Sequence, residues 1–208
     1  MPKRRRSNGS RTAWAANCSV SGMDQDACRA SLASVDSLFA HGELTWAPIA
    51  GPARTSLMKR LARLVSQWED YSRQTTAGAT VARDRYMAEN VAWWRSRSAG
   101  ARTMLWAHNF HVSRSSPSMG SHLAALYGSD YVNVALTFSS GNFNAVLQLP
   151  SGAFGGLQPH ALANALPSSI EAVFDATGMS RAILDARAVR NGTSAVEPLK
   201  RGLTMRSI

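Results

Sequence analysis

Residues 103–111 read TMLWAHNFH. A short, mostly apolar run gives way at once to His108, Asn109 and His111, the pattern of a buried strand that ends in a polar loop. Downstream, residues 119–127 (MGSHLAALY) have helical spacing and stop at Gly128. Residues 131–138 (YVNVALTF), rich in β-branched and aromatic side chains, predict a second strand, and residues 145–149 a third. A helix is expected over 168–176, capped by Ser168 or Ser169 with Glu171 in its first turn. Residues 182–186 (AILDA) read as a last strand. Strands alternating with helices at this spacing predict an α/β fold: a mainly parallel sheet with flanking helices.

Upstream the texture is helical. Leu32, Val35, Leu38 and Phe39 recur at helical spacing, and residues 41–52, with Gly42, Pro48, Gly51 and Pro52, predict a loop. Leu57, Leu61, Leu64, Val65, Trp68 and Tyr71 then outline the apolar face of an amphipathic helix, with Lys59, Arg60, Arg63 and Glu69 outside it. A second long helix is expected over 80–98, with Met87, Val91 and Trp94 on one face and Arg85 and Glu89 spaced to pair on its surface.

The length of 208 residues suits one domain or slightly more, and 45% hydrophobic residues exclude whole-chain disorder. No uninterrupted apolar run approaches the ~18 residues of a membrane-spanning helix, so no membrane partner is expected. Two cysteines, Cys18 and Cys28, are too few for a disulfide scaffold or a four-thiolate zinc site. The net charge of +10 is less of a nucleic-acid signal than it looks. Lys3, Arg4, Arg5, Arg6 and Arg11 supply half of it, and the remaining bases are interleaved with acids. Residues 1–22 read as a disordered basic tail ahead of the domain at 23–208. No apolar segment follows the tail's arginines as in a secretory signal, so the cytoplasm is the expected location. The body offers no helix-turn-helix, zinc finger or aromatic RNA platform, so no specific nucleic-acid partner is expected. A basic nucleic-acid-binding or non-catalytic interaction protein is the alternative class.

Histidine exchanges protons near neutral pH, so His108 and His111, three apart at a strand end, make a plausible acid/base element. Two nitrogens without a third ligand make a weak metal site, and neither metal nor cofactor is expected. The second dense segment, residues 83–94 (RDRYMAENVAWW), sets Arg83, Asp84, Arg85, Glu89 and Asn90 beside a Met/Val/Trp face. Helical geometry brings Arg83, Met87 and Asn90 near one side. There is no G-x-S-x-G elbow, phosphate-binding P-loop or G-x-G-x-x-G turn. His41, His122 and His160 stand alone.

Taken in order, residues 83–94, 104–112 (MLWAHNFHV), 119–143 (MGSHLAALYGSDYVNVALTFSSGNF) and 168–187 (SSIEAVFDATGMSRAILDAR) resemble the erythromycin esterase family. The shared pattern is an R-D-x-x-M-A-x-N helix, a strand closing in W-A-H-N-x-H, then M-G-x-x-L and a following G-x-x-Y strand. It covers residues 55–208. The resemblance implies an erythromycin-esterase-like α/β domain and a metal-independent hydrolase of a carboxylic ester or macrolide lactone, an activity that confers macrolide resistance. It makes His108 and His111 the catalytic candidates. Asn109, Arg83, Asp84, Glu89 and Asn90 become candidates for binding substrate or bracing the cleft. A small-molecule ester or macrolide is the implied partner.

The family's other half carries a general-base histidine in a G-E-x-x-H-G motif, with a further glutamate after the next strand. Neither is present; His41-Gly42-Glu43 is the nearest stretch and lacks the strand that should precede it. The domain is therefore expected to be incomplete, a fragment with weak or no esterase activity. A half-sheet exposes an unpaired edge, so self-association through it is also expected.

Overall fold

The structure is a computed structural model that describes residues 25–187, apart from residue 152. The basic tail at residues 1–22 lies outside the described residues. The chain divides into two units, one ending at Asn133 and the other beginning at Val134.

The first unit is helical. It comprises α1 (Gln25–Ala50), α2 (Pro52–Arg73), α3 (Thr76–Ser96), the single turn α4 (Asn109–Val112), α5 (Met119–Tyr127) and a 3-10 turn at Gly128–Asp130. The loop expected over 41–52 is instead the C-terminal part of α1. Trp46 folds its ring over Gly42, 2.8 Å from where a Cβ would stand, and meets Phe39 edge-on at 5.3 Å. Pro48 falls in the last turn, so the backbone bond it cannot donate is lost at the helix end rather than mid-helix. The true break is Gly51, at φ 86, followed by Pro52 at the start of α2.

The amphipathic reading of α2 is also corrected. Leu57, Leu61, Leu64 and Trp68 are exposed, whereas Thr55, Gln67 and Glu69 are buried. Polar contacts join α2 to α3. Gln67 donates to Glu89 Oε2 at 2.8 Å and accepts from Asn90 at 3.3 Å, and Arg60 donates to Asn90 Oδ1. Arg85 and Glu89 do not pair with each other; Arg85 reaches Asp70 at 4.0 Å, and Glu89 reaches Arg63 at 3.4 Å. Partners on a packed neighbouring helix displace the exposed i,i+4 pair, which is worth only about 0.2–0.5 kcal/mol.

The unit's core is Ala88 from α3, Val112 from α4, and Met119 and Leu123 from α5, with Met87, Val91, Leu105, Ala107, Tyr127 and Tyr131 packed against them. Residues 103–107 keep the alternation of an extended chain. Leu105 and Ala107 face this core, while Met104 and Trp106 are 91% and 84% exposed.

The mainly parallel sheet is not found. Among the described residues the sheet is a two-stranded antiparallel hairpin, β1 (Asn142–Gln148) and β2 (Phe154–Ala161). Residues 103–107 and 131–138 run without a ladder partner, and 182–186 is not a strand, Ile183 being 99% exposed. A parallel pair needs a crossover of a dozen or more residues, whereas the short link after β1 permits only a hairpin. Leu149 N–H closes that link on Ala153 O at 2.9 Å.

The second unit is built on this hairpin. Phe143 and His160 are in register and stack with ring centroids 5.6 Å apart. Ser169 caps α6 (Ile170–Asp175), accepting from Ala172 N–H at 3.3 Å, with Glu171 in the first turn. Thr137 donates to Glu171, and Ser139 to Asp175 at 2.9 Å. Among the described residues no helix is long and apolar enough to cross a membrane, and no three metal-ligating side chains form a group.

Candidate active site

The junction of α3, α4 and α5 brings together three of the residues singled out from the sequence. Asp84 sits on the flank of α3 that packs on α5, one turn before Ala88 of the core. Its side chain is 0% exposed. One carboxylate oxygen, Oδ1, meets His111 Nδ1 at 2.8 Å and the Met119 amide at 2.7 Å. Met119 opens α5, so the acid stands where the positive end of that helix favours it. On the far side of the imidazole, the exposed Arg83 guanidinium lies 3.1 Å from His111 Nε2.

His108 belongs to the same turn. It caps α4, its Nδ1 accepting the Phe110 amide at 3.2 Å. Its ring stands at 76° to that of His111, with centroids 6.4 Å apart. Asn109 is the first residue of α4. A one-turn helix after an extended segment thus converts the spacing of three into two imidazoles on adjoining positions.

Three contacts hold this turn in place. Gly120 lies so close to the Val112 and Ser113 carbonyls that a Cβ would collide with both oxygens. Ser118 caps α5 and donates its hydroxyl to Ser113 O at 2.6 Å. Tyr131 donates to Val112 O at 2.6 Å, and burial raises its phenol above the ordinary tyrosine range. The M-G step at 119–120 was the sequence signal for this close approach; the Met119 and Phe110 amides left no signal at all.

Glu89 and Asn90 are placed elsewhere. They lie on the flank of α3 that faces α2, within the Gln67, Arg60 and Arg63 network, and so brace helices. An open cavity of about 440 Å³ lies at the C-terminal end of α3, lined by Pro52, Ala53, Ser56, Trp93, Ser96 and Arg97, and includes none of the candidate residues.

No curated protein and no solved structure matches the chain. The family model described as erythromycin esterase does match, over residues 13–208, starting well before the segments that carry the resemblance. A match over most of the chain, with the paired histidines at its W-A-H-N-x-H step, places the protein in the erythromycin esterase family.

Proposed function

We propose that the chain is a hydrolase of carboxylic esters, macrolide lactones among them, that activates water at the His108–His111 pair. The observation that carries this reading is the pair itself, two imidazoles 6.4 Å apart, one backed by a buried carboxylate, in a member of an esterase family. Ester hydrolysis needs a base for water, donors for the developing oxyanion and an acid for the leaving alkoxide. The histidines and Arg83 supply these groups. With no G-E-x-x-H-G segment in the sequence, turnover is expected to be slow.

The test is hydrolysis of erythromycin and of an activated aryl ester by the purified chain, followed by mass and absorbance. Slow hydrolysis above the buffer rate, lost in both His108→Ala and His111→Ala, is expected. Rates that neither substitution changes would overturn the assignment to this pair, and no hydrolysis at all would overturn the hydrolase reading.

A further inference from the structure

We infer that the fold sets His108 and His111 in opposite tautomers, and that Asp84 is the positioning residue that fixes the second. The tautomers follow from hydrogen bonds alone; the roles drawn from them rest on the hydrolase reading.

Asp84 Oδ1 already accepts the Met119 amide, so it is an acceptor, and His111 Nδ1 facing it at 2.8 Å carries the proton. The other nitrogen faces Arg83, whose guanidinium only donates. Nε2 of His111 is therefore a lone pair. His108 is the reverse. A backbone amide only donates, so Nδ1 of His108, which takes the Phe110 N–H, is the lone pair, and the proton of the neutral ring is on Nε2. One turn of chain thus presents one imidazole as an acceptor and the other as a donor.

The roles divide accordingly. When Arg83 leaves Nε2, that nitrogen takes a proton from water as the hydroxide oxygen bonds to the ester carbonyl carbon. The carbonyl electron pair moves onto oxygen, where His108 Nε2–H and the released guanidinium donate to it. The pair returns as the bond from the acyl carbon to the alkoxide oxygen breaks, and the departing oxygen takes the proton from His111. Acid and alcohol leave, and both rings regain their starting states. His108 remains neutral throughout, a hydrogen-bond donor rather than a proton source. Asp84 touches no substrate; it keeps Nδ1–H pointing inward and supports the imidazolium that forms in between.

The experiment reads the ring nitrogens of the free full chain, labelled with ¹⁵N-histidine, by two-bond ¹H–¹⁵N correlation at a pH where the rings are neutral. Signals are assigned with His108→Gln and His111→Gln. His111 is expected to show a protonated Nδ1 and bare Nε2, and His108 the opposite. His111 with its proton on Nε2, or His108 with its proton on Nδ1, overturns the inference. In Asp84→Ala only the exposed Arg83 is left to favour Nδ1–H, and His111 is expected to move part of the way toward the Nε2–H form. In Asp84→Asn it stays Nδ1–H, because the Met119 amide forces the side-chain oxygen, not the nitrogen, toward both donors. Conversion in Asp84→Asn, or no change in Asp84→Ala, removes Asp84 from the role. If Asp84→Ala does not fold, the wild-type spectrum and Asp84→Asn decide the matter. Where turnover is measurable, Asp84→Ala is expected to lower kcat by up to about 10,000-fold with KM little changed, and Asp84→Asn to retain more of it. Expected tautomers without ester turnover overturn the hydrolase reading alone; turnover with other tautomers overturns this one alone.

Discussion

Replacing Gly120 with alanine sets two effects of opposite sign against each other. Gly120 is the second residue of α5, where alanine is the better helix former by about 1 kcal/mol. Propensity alone therefore predicts a more stable protein. The geometry predicts the reverse, because the new methyl would collide with the carbonyl oxygens of Val112 and Ser113. Backbone–carbon to oxygen contacts run at about 3.3–3.6 Å, so α4 and α5 have to part by roughly 1 Å. Overpacking of that kind costs about 1–3 kcal/mol. The Ser118–Ser113 and Tyr131–Val112 bonds, both 2.6 Å, span the same seam and each contribute about 1 kcal/mol. With the propensity gain subtracted, the net loss is about 2–4 kcal/mol. Urea unfolding followed by tryptophan fluorescence and circular dichroism measures it. Gly78→Ala in α3 is the control, because its nearest atoms belong to the Gln74 and Thr75 side chains, which can move, and it is expected to match or exceed the wild type. Gly120→Ala as stable as the wild type would refute the close approach of α5 to the histidine turn.

Gln67→Ala strips partners from Glu89 and Asn90 and is expected to cost about 1–3 kcal/mol in thermal or urea unfolding, while any rate per folded molecule stays unchanged, since the network faces away from the histidines. Tyr86 is held protonated beyond its ordinary value of 10.0, first by burial and then by its bond to Asp70. The folded protein keeps that proton longer than the unfolded chain, so the stability involved is intact below pH 10 and drains away as pH rises past it; unfolding midpoints above pH 10 should fall less steeply in Tyr86→Phe. Met104 and Trp106 lie exposed on an extended segment with no ladder partner, and the chain is expected to self-associate through it. Sedimentation at rising concentration should show association that Met104→Lys with Trp106→Lys reduces.

How much of the fold was legible depended on whether local chemistry or a distant partner decided it. Helix caps were readable because a serine hydroxyl and an amide three residues on satisfy each other locally, as at Ser169. The loop over 41–52 misled because glycine and proline mark breaks only where the backbone needs them. Gly51 has a positive φ, while Gly42 is simply covered by Trp46 and Pro48 sits in the last turn, where the helix is about to end. The parallel sheet misled for the opposite reason. Residues 103–107 and 131–138 have the composition of strands and an extended course, but a ladder needs a neighbour, and composition says nothing of which neighbour is present.

The site divides along the same line. Residues 83–94 concentrate polar groups that a reading by spacing places together, and Arg83, Met87 and Asn90 do share one side of an ideal helix. What separates them is the asymmetry of the neighbours on α3. The flank with Asp84 and Ala88 meets α5, whose first amide, from Met119, takes the carboxylate; the flank with Glu89 and Asn90 meets α2, whose Gln67 and Arg60 take the rest. Burial separates the two. The Asp84 carboxylate is fully enclosed behind the His111 imidazole, whereas the exposed Arg83 guanidinium stands on the outer nitrogen. R-D in this helix thus sets adjacent positions in opposite environments, the aspartate inward against one nitrogen of the His111 ring and the arginine outward on the other, as the roles proposed for them require.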